Sequence, residues 1–259
     1  MATFLFDKII FGPVKSRRLG VSLGVNLLPV NTKVCSFDCI YCECGLTPNN
    51  YEGEVKLPSR VEVREKLEET IIKMVSSGQL PDVITFAGNG EPTLHPEFSE
   101  IIDDTVELRN MLVPNLRIAV LSNATMLHKK SVFNALTKIE YNIQKLDSAF
   151  TETIHLINCP APNFNLQKII DQLTLFNGKV IIQTMFLRES FKEKNLDNTT
   201  EAEISAWIKL LEKIKPAHVM IYTIARDTPI SSLISISISE LKTIALKLEQ
   251  AGFSVKVSE

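Results

Sequence analysis

Four of the five cysteines in this chain fall within ten residues, at Cys35, Cys39, Cys42 and Cys44. The first three have the spacing C-x3-C-x2-C, and thiolates this close together in one loop can converge on a single metal centre. Cysteine thiolates, usually four of them, hold iron–sulfur clusters. Three ligands would leave one iron of a [4Fe–4S] cluster open to a substrate or cofactor, as a catalytic zinc site keeps one position open. The spacing therefore predicts a cluster held by Cys35, Cys39 and Cys42.

Three other interpretations of the cysteines stay open at the level of sequence. Zinc is the competing metal, but structural zinc takes four ligands, commonly as two separated pairs, and the fifth cysteine, Cys159, stands alone. Cys44 is a candidate fourth ligand, although the single residue between it and Cys42 strains convergence on one cluster. We expect Cys44 to be a nearby thiol that does not ligate. The last interpretation is that the cysteines pack as small hydrophobic residues, which would make an odd core in so short a loop.

A turn with two glycines, Gly88-Asn89-Gly90-Glu91-Pro92, follows an apolar run that is typical of a strand. Glycine allows positive φ and close approach of the backbone to a ligand. Amides and carbonyls of such a turn can bind a small charged group. The turn is therefore a candidate binding site, and the alternative is an ordinary connection from a strand to a loop.

Polar side chains also stand at the ends of three further apolar runs. The carboxyl ends of parallel strands build the ligand site in α/β folds, so polar residues at those positions need a reason. We expect some of this set to contact a ligand, and the alternative for each is a solvated loop residue. The set consists of Ser122, Asn123, Lys145, Asp147, Gln183 and Arg188.

Two weaker signals lie outside that set. Lys15, Arg17 and Arg18 form a basic cluster before the first predicted strand. We expect these residues to have a structural role or to lie at the lip of a substrate site, where contact with a substrate phosphate is one alternative. Of the four histidines, only His95, beside the turn with two glycines, is expected near the site.

The elements that must position these residues alternate along the chain. Runs rich in β-branched and aromatic residues predict strands at 21–28, 82–88, 117–123, 140–147, 179–187 and 218–225, and a short final strand in FSVKV. Helical spacing of apolar residues predicts helices at 59–78, 97–113, 129–139, 164–178, 201–215 and 237–252. Ser237 with Glu240 predicts a capping box at the start of the last helix. The Ser/Ile alternation at 231–239 predicts an extended loop before it.

Six strand–helix units in series predict a parallel sheet covered by helices. Periodicity leaves two architectures open, an open doubly wound sheet and an incomplete barrel, because a closed barrel of this type has eight units. No linker or low-complexity tract divides the 259 residues. We therefore expect one domain over 1–259, with 1–20 as an N-terminal extension that packs on it.

Composition excludes several classes of protein. Hydrophobic residues make up 45% and charged residues 22%, which is ordinary for a globular protein and unlike a disordered one. The net charge of −2 provides no global basic field for nucleic acid, although it does not rule out a local basic patch. No uncharged apolar window is long enough to span a membrane, and the amino end is a poor signal peptide. We expect a cytoplasmic protein, in which clustered cysteines typically bind metal or act in catalysis.

The cysteine motif, with Tyr41 just before its last cysteine, resembles the signature of the radical S-adenosylmethionine (radical SAM) enzymes. The segment FGPVKSRRLGVSLGVNLLPVNTKVCSFDCIYCECG is similar to a group of short radical SAM iron–sulfur oxidoreductases, which are described as similar to the tRNA wybutosine-biosynthesis enzyme. The stretches FAGNGEPTLHP, AVLSNATML, IQKLDS, IIQTMFLR and VMIYTIARDTP extend the likeness over nearly the whole chain. The family's turn usually reads Gly-Gly-Glu, whereas here Asn89 precedes Gly90 and Glu91.

This resemblance implies a fold, two cofactors and a set of site residues. The fold is a partial (β/α)6 TIM-like barrel of parallel strands with outer helices. A [4Fe–4S] cluster would lie on the three cysteines, with S-adenosylmethionine (SAM) beside Tyr41. The turn at 88–91 would contact the amino group of SAM, and Lys145 or Arg188 would pair with its carboxylate. Ser122, Asn123 or Asp147 would hold the ribose hydroxyls, with Gln183 in the same cofactor-binding set.

The resemblance also implies an activity. One electron, from a donor such as flavodoxin or ferredoxin, would cleave SAM to methionine and a 5′-deoxyadenosyl radical that abstracts hydrogen from a substrate. The wybutosine likeness favours a tRNA base as that substrate, while the net charge and the lack of an obvious RNA-binding domain oppose it. A protein substrate is the other expectation. The alternatives are a glycyl-radical-enzyme activating protein, an Fe–S electron-transfer module that uses Cys44 as a ligand, and a tRNA-binding scaffold without chemistry.

Overall fold

Parallel strands connected by helices form the centre of the molecule. The structure, a computed structural model, describes residues 4–48, 52–53, 55–189 and 196–258. β-Branched and aromatic side chains are concentrated in the strands, where they suit a pleated and half-buried surface. The strands are β1 (Ile10–Ser16), β2 (Gly20–Val25), β3 (Val83–Phe86), β4 (Arg117–Ser122), β5 (Tyr141–Lys145), β6 (Ile181–Met185), β7 (Leu187–Glu189), β8 (Leu196–Asp197), β9 (His218–Tyr222), β10 (Leu233–Ser235) and β11 (Val255–Ser258).

Helices cover the sheet, and polar side chains cap several of them. Ser59 accepts a hydrogen bond from the amide of Glu62 at the start of the first helix. The predicted capping box is present, because Ser237 and Glu240 satisfy each other's backbone amides. The α-helices are α1 (Arg60–Ser77), α2 (Phe98–Leu112), α3 (Lys130–Leu136), α4 (Thr151–Asn158), α5 (Leu166–Thr174), α6 (Glu201–Ile214) and α7 (Ile238–Gln250), and a short 3-10 helix spans Pro92–Leu94.

The order of the strands decides between the two predicted architectures. Within the described residues the main sheet runs β1-β2-β3-β4-β5-β6-β9-β11, and each neighbouring pair from β2 to β11 is parallel. A doubly wound sheet reverses its order at a switch point, and this sheet does not. Right-handed crossovers that always advance in one direction place the helices on one face. The sheet is therefore a curled half-barrel with its helices outside.

Contacts between the two edges of the sheet show how far it curls. The turn between β1 and β2 belongs to one edge, and β9 and β11 form the other. The Arg18 guanidinium of this turn lies 4.5 Å from the centre of the Tyr222 ring, at the end of β9. Lys256 of β11 donates a hydrogen bond to the Arg18 carbonyl. The edge hairpin thus reaches across the open side of the half-barrel.

The inner face of the half-barrel changes from apolar to polar along its strands. Side chains two residues apart share a face of a strand. Ile143 and Ile181 therefore lie on the inner face with Lys145 and Gln183, and the first two pack with Met220 in a small buried cluster. Lys145 pairs in register with Gln183 at the carboxyl ends of β5 and β6. An apolar layer fills the barrel below a polar layer, which lies at the end that binds ligands in folds of this class.

Several elements differ from the sequence prediction. Within 1–20, β1 pairs antiparallel with β2 and becomes an edge strand of the sheet. Helix α4 was not predicted, because its eight residues are too few to establish a helical period. The run at 179–187 leaves the main sheet after Met185, and β7 pairs with β8 and β10 in a separate sheet. The strand β10 lies within 231–239, where we expected a loop.

Candidate active site

A cavity of about 360 Å³ opens at the carboxyl ends of the parallel strands. Ligand sites in proteins typically have volumes of roughly 300–1,000 Å³. Cys35, Cys39, Cys42 and Cys44 all line this cavity, together with side chains from both ends of the sheet. The fold therefore brings the cysteine loop and the strand ends to one place.

Backbone hydrogen bonds to the end of α4 hold the cysteine loop in position. The amides of Asp38 and Ile40 donate to the carbonyls of Asn158 and Ile157, at 2.9 and 3.0 Å. Phe37 and Tyr41 are buried in an apolar cluster with Met185, Leu187 and Tyr222. The end of helix α4, which was not predicted, thus positions the backbone that carries the thiols.

Lys33 connects the two ends of the cysteine loop through hydrogen bonds. Its ammonium group donates to the Asp38 carboxylate at 3.0 Å and to the Gly45 carbonyl at 2.8 Å, and its side chain is buried. Burial by itself lowers the pKa of Lys33, but nearby Cys42, Asp38 and Cys35 outweigh it, so the pKa is raised. A charged lysine is therefore held beside the thiols. Sequence analysis missed this residue, because nothing in its spacing separates it from a surface lysine.

Amide side chains donate hydrogen bonds toward two of the motif sulfurs. The Asn158 Nδ2 group lies 3.3 Å from Cys39 Sγ, and the Asn123 Nδ2 group lies 3.7 Å from Cys35 Sγ. Burial raises the pKa of Cys39 to about 11, and burial followed by the charge of Glu91 raises that of Cys35. A free thiolate is costly here, and a bound cation that deprotonates the thiols would offset the cost.

Cys44 lies against Cys42 and takes part in the site as a hydrogen-bond donor. Its thiol donates to the Gly88 carbonyl at 3.4 Å. Hydrogen bonding with Cys44, opposed by burial and assisted by Lys33, lowers the pKa of Cys42 below its ordinary value. Among the described residues, no three His, Cys, Asp or Glu side chains converge closely enough to hold one metal ion. The structural support for the thiols as cluster ligands is therefore that they line the same cavity.

The turn with two glycines packs directly against the start of the cysteine loop. Gly88 and Gly90 both line the cavity and have φ of +153° and +136°. A Cβ on Gly90 would lie 1.8 Å from the Val34 carbonyl oxygen, and one on Gly88 would lie 2.3 Å from the Asn26 side chain. Glycine is needed at these positions because protein atoms occupy the space that a side chain would take.

The other two predicted residues of this turn have different positions. Asn89 is fully buried and does not line the cavity, because its side chain bonds the backbone of Phe6 and Pro29. Glu91 does line the cavity, although its carboxylate also accepts hydrogen bonds from Thr93 and from the Asn123 amide at 2.6 Å. Burial raises the pKa of Glu91 against these bonds. Its main observed contacts hold the turn and the end of β4 together.

The residues at the end of β4 line the cavity beside Cys35. Ser122 Oγ accepts from the Ala124 amide at 3.1 Å, and the Asn123 side chain donates to Ser36 Oγ at 2.9 Å. Both residues are almost fully buried and belong to the cavity wall. The structure thus brings this predicted pair to the site.

Lys145 and Asp147 lie two residues apart at the end of β5, but they have different roles. Lys145 lines the cavity, whereas Asp147 supports the residues around it. Lys145 lines the cavity and donates to Asp147 at 3.3 Å and to the Tyr222 hydroxyl at 3.0 Å. Burial lowers the pKa of Lys145, but Asp147 and then Tyr222 outweigh it and raise the pKa above its ordinary value. Asp147 does not line the cavity, because it accepts from Tyr41, Asn158 and the Met185 amide. Tyr41 lines the cavity with its hydroxyl 2.5 Å from Asp147.

Gln183 supplies the clearest unused hydrogen-bond donor in the cavity. Its side chain lines the cavity and is 6% exposed, and its Nε2 has no hydrogen-bond partner among the described residues. Buried polar groups are normally paired, since an unpaired one costs about 1–3 kcal/mol. An orphaned donor beside Lys145 and the buried thiols fits a ligand with acceptor oxygens, and of the two predicted cofactors SAM has such oxygens.

Besides Asn89 and Asp147, two further predicted site residues lie outside the cavity lining. Arg188 on β7 pairs with Asp197 at 2.9 Å and with Glu240 at 2.7 Å, outside the lining. His95 is buried against Pro58, with 2.8 Å between Nε2 and the carbonyl oxygen, and it also does not line the cavity. Arg188 lies away from the cavity because the chain leaves the main sheet after Met185, and β7 belongs to the small second sheet.

Two further residues of the site were missed by sequence analysis. Tyr222 ends β9 and lines the cavity, and the rule of polar strand ends that selected Lys145 could have found it. Asn158 ends a helix that was not predicted, so no sequence signal pointed to it.

The fold and the site define an α/β half-barrel protein with a thiol-lined cavity at the carboxyl ends of its strands. The family model of the radical SAM superfamily matches residues 31–163, which contain the cysteine loop, the turn with two glycines and Lys145. The chain belongs to the radical SAM superfamily. The cofactors of that superfamily, a [4Fe–4S] cluster and SAM, are those that the sequence resemblance implied.

Curated relatives match most of this chain. A UPF0026 protein of Methanocaldococcus jannaschii is 33% identical, over 74% of this chain and 59% of that protein. A UPF0026 protein of Synechocystis sp. is 30% identical, over 85% of this chain and 77% of that protein. A protein named GTPase Obg from Brachyspira hyodysenteriae is 29% identical over 98% of this chain and 35% of its own length. This chain thus spans between about a third and three-quarters of the length of these relatives.

Solved structures share the fold at low sequence identity. A radical SAM methyltransferase from Sphaerobacter thermophilus has a TM-score of 0.66 at 15% identity, over 91% of this chain and 65% of that chain. TYW1 with a lysine-pyruvate adduct has a TM-score of 0.61 at 16% identity, over 88% and 73%. Likeness at this identity shows the fold alone, and it confirms the predicted partial barrel.

Proposed function

We propose that this chain is a radical SAM enzyme whose Cys35, Cys39 and Cys42 hold the [4Fe–4S] cluster. The cluster and SAM, when bound, would supply reductive cleavage to a 5′-deoxyadenosyl radical that takes a hydrogen atom from a substrate. The observation that supports this proposal is one cavity lined by the three thiols, the turn with two glycines and the ends of β4, β5 and β6. An electron donor such as flavodoxin or ferredoxin is part of the proposal.

The cavity residues suggest how the chain would bind and orient SAM. Lys145 is the cation to pair with the carboxylate, because it lines the cavity whereas Arg188 does not. Gln183, with its unpaired Nε2, would donate to an acceptor of the cofactor. Ser122 and Asn123 would hold ribose hydroxyls. We do not assign that role to Asp147, whose oxygens already accept from Tyr41, Asn158 and the Met185 amide.

The test is anaerobic reconstitution with iron and sulfide, followed by SAM and dithionite and measurement of 5′-deoxyadenosine. Alanine at Cys35, Cys39 or Cys42 should each abolish the product and the cluster absorbance. Cys159→Ala is the matched control, because Cys159 is exposed and outside the cavity lining. Absence of product from a protein that carries its cluster would refute the proposal.

An electron-transfer module is the rival function, since Cys44 lines the same cavity. That function predicts a fully ligated cluster with Cys44 as the fourth ligand. We expect Cys44→Ala to retain the cluster, because the Cys44 thiol donates its hydrogen bond to the Gly88 carbonyl. Iron content after desalting measures this, and loss of the cluster in Cys44→Ala but not in Cys159→Ala would favour the rival.

A further inference from the structure

The mouth of the cavity carries a cluster of cations that the proposed chemistry does not use. Lys15, Arg17, Arg18 and Arg226 all line the cavity, and Lys15, Arg17 and Arg226 are exposed where it meets solvent. Among the described residues, the exposed acidic residue in the lining is Glu43, which pairs with Arg226 at 2.5 Å. The mouth therefore has an excess of positive charge, although the whole chain has a net charge of −2.

Two of these cations have no acidic partner in the part of the chain that the structure describes. Among the described residues, neither Lys15 nor Arg18 forms an ion pair with a carboxylate, whereas the deeper Lys33 and Lys145 both do. The Nη1 of Arg18 is buried and has no hydrogen-bond partner in that same part of the chain. An unpaired buried guanidinium nitrogen is costly, and an anion with several acceptor oxygens would satisfy it.

The turn that carries Arg18 is held in place. Ser16 Oγ accepts from the amides of Arg18 and Leu19, at 3.3 and 3.1 Å. The Arg18 guanidinium stacks on the Tyr222 ring, and Lys256 donates a hydrogen bond to the Arg18 carbonyl. The β1–β2 hairpin thus presents Lys15, Arg17 and Arg18 in a fixed arrangement, as a preorganised binding site requires.

Crowding of like charges supports the same conclusion. Although Arg17 is exposed overall, partial burial and then the neighbouring charge of Arg18 lower its pKa, with Arg226 acting in the same direction and Glu43 against it. Guanidinium groups close enough to repel one another attract an anion that neutralises them. Arginine also matches the geometry of phosphate oxygens through its paired donors.

We infer that the mouth of the cavity is a subsite for a phosphate group of the substrate. The inference rests on the proposed function, because it identifies the class of molecule that the same cavity would receive. A mononucleotide or an RNA backbone could supply the phosphate, and the binding experiment separates these two sources.

The experiment measures binding to the reconstituted protein with SAM present, by fluorescence anisotropy. The probes are fluorescein-labelled bulk tRNA, a mant-labelled guanosine diphosphate and a labelled polyglutamate peptide. We expect the tRNA or the nucleotide to bind. Lys15→Gln/Arg18→Gln should weaken that binding about tenfold and reduce the slope of log K against log salt by about 1–2 for tRNA. Lys73→Gln/Lys168→Gln, on the outer helices, is the control with the same charge change and should stay within about twofold.

Each other outcome overturns the inference. These outcomes are no binding of either phosphate probe, equal loss in both double variants, equal binding of polyglutamate, and displacement of the probe by excess SAM. If Arg18→Gln disturbs the hairpin, Lys15→Gln alone, at an exposed position, should still weaken binding by roughly threefold. Formation of 5′-deoxyadenosine by the wild-type protein tests the proposed function separately, so its failure is distinguishable from a failure to bind phosphate.

Discussion

Asn158 connects the most buried motif thiol to the polar network below it. Its Nδ2 group contacts Cys39 Sγ at 3.3 Å, Tyr41 at 3.2 Å and Asp147 at 2.7 Å. Hydrogen bonds to cluster sulfurs raise the reduction potential of iron–sulfur centres, because they stabilise the more negative reduced state. A residue that sequence analysis missed is thus placed to tune the proposed cluster.

Asn158→Leu keeps the approximate volume of the side chain and removes this donor. We expect the midpoint potential of the reconstituted cluster to fall on the order of 60 mV, which corresponds to about 1.4 kcal/mol for one electron. A redox titration followed by electron paramagnetic resonance measures the shift. Asn134→Leu, at an exposed position on α3, is the control. An unchanged potential in a folded Asn158→Leu protein would contradict the tuning role.

At the scale of elements, the turn with two glycines and the cysteine loop form one unit. The Val34 amide donates to the Asn89 carbonyl at 2.9 Å, and the Glu91 amide donates to the Val34 carbonyl at 3.1 Å. Gly90 lies between these bonds with no room for a Cβ. The two motifs that the sequence shows as separate therefore support each other through backbone contacts.

Gly90→Ala tests this connection. We expect the free energy of unfolding to fall by at least about 2 kcal/mol, because a positive φ adds strain to the clash with Val34. Gly252→Ala is the matched control, since Gly252 has φ of +89° but its Cβ position has no atom of the described residues within 4 Å. The free energy of unfolding of Gly252→Ala should fall by about 1 kcal/mol, and this value measures the backbone strain without a clash. Urea unfolding measures both, and equal losses would show that the contact with Val34 is unimportant.

For the whole molecule, the predicted single domain is still to be tested. Trp207 is the only tryptophan of the chain, is 2% exposed on α6 and packs edge-on against Phe186 at 5.4 Å. Its fluorescence therefore reports on the packing between a helix and the end of the sheet.

We expect urea to unfold the wild-type protein in one cooperative transition. Trp207 fluorescence and far-ultraviolet circular dichroism should then give the same midpoint, because a single core loses its helices and its packing together. Protein without added denaturant, scanned over the same time, provides the baseline. Midpoints that differ beyond the error of the fits would indicate units that unfold separately and would contradict one domain over 1–259.

Local patterns were sufficient to predict most of the elements and the chemical class. The C-x3-C-x2-C spacing is set by covalent distance along one loop, so it indicated a cluster before any fold was known. Strands and helices of ordinary length can also be predicted from the sequence, because their apolar residues repeat with a regular period within a short window. The end of a strand then predicted Lys145, Gln183, Ser122 and Asn123 as polar residues that share a cavity.

Only the tertiary structure decided which candidates meet and which do not. Asp147 and Asn89 lie in the right segments, but their side chains turn away to satisfy buried partners. Arg188 was separated from the site when the chain left the barrel after Met185. The basic residues of the β1–β2 hairpin reach the mouth because the sheet curls far enough for Arg18 to contact Tyr222 and for Lys256 to donate to the Arg18 carbonyl. Spacing along a chain records local geometry, whereas contacts between distant residues depend on curvature and on the pairing of buried polar groups, which no local pattern encodes.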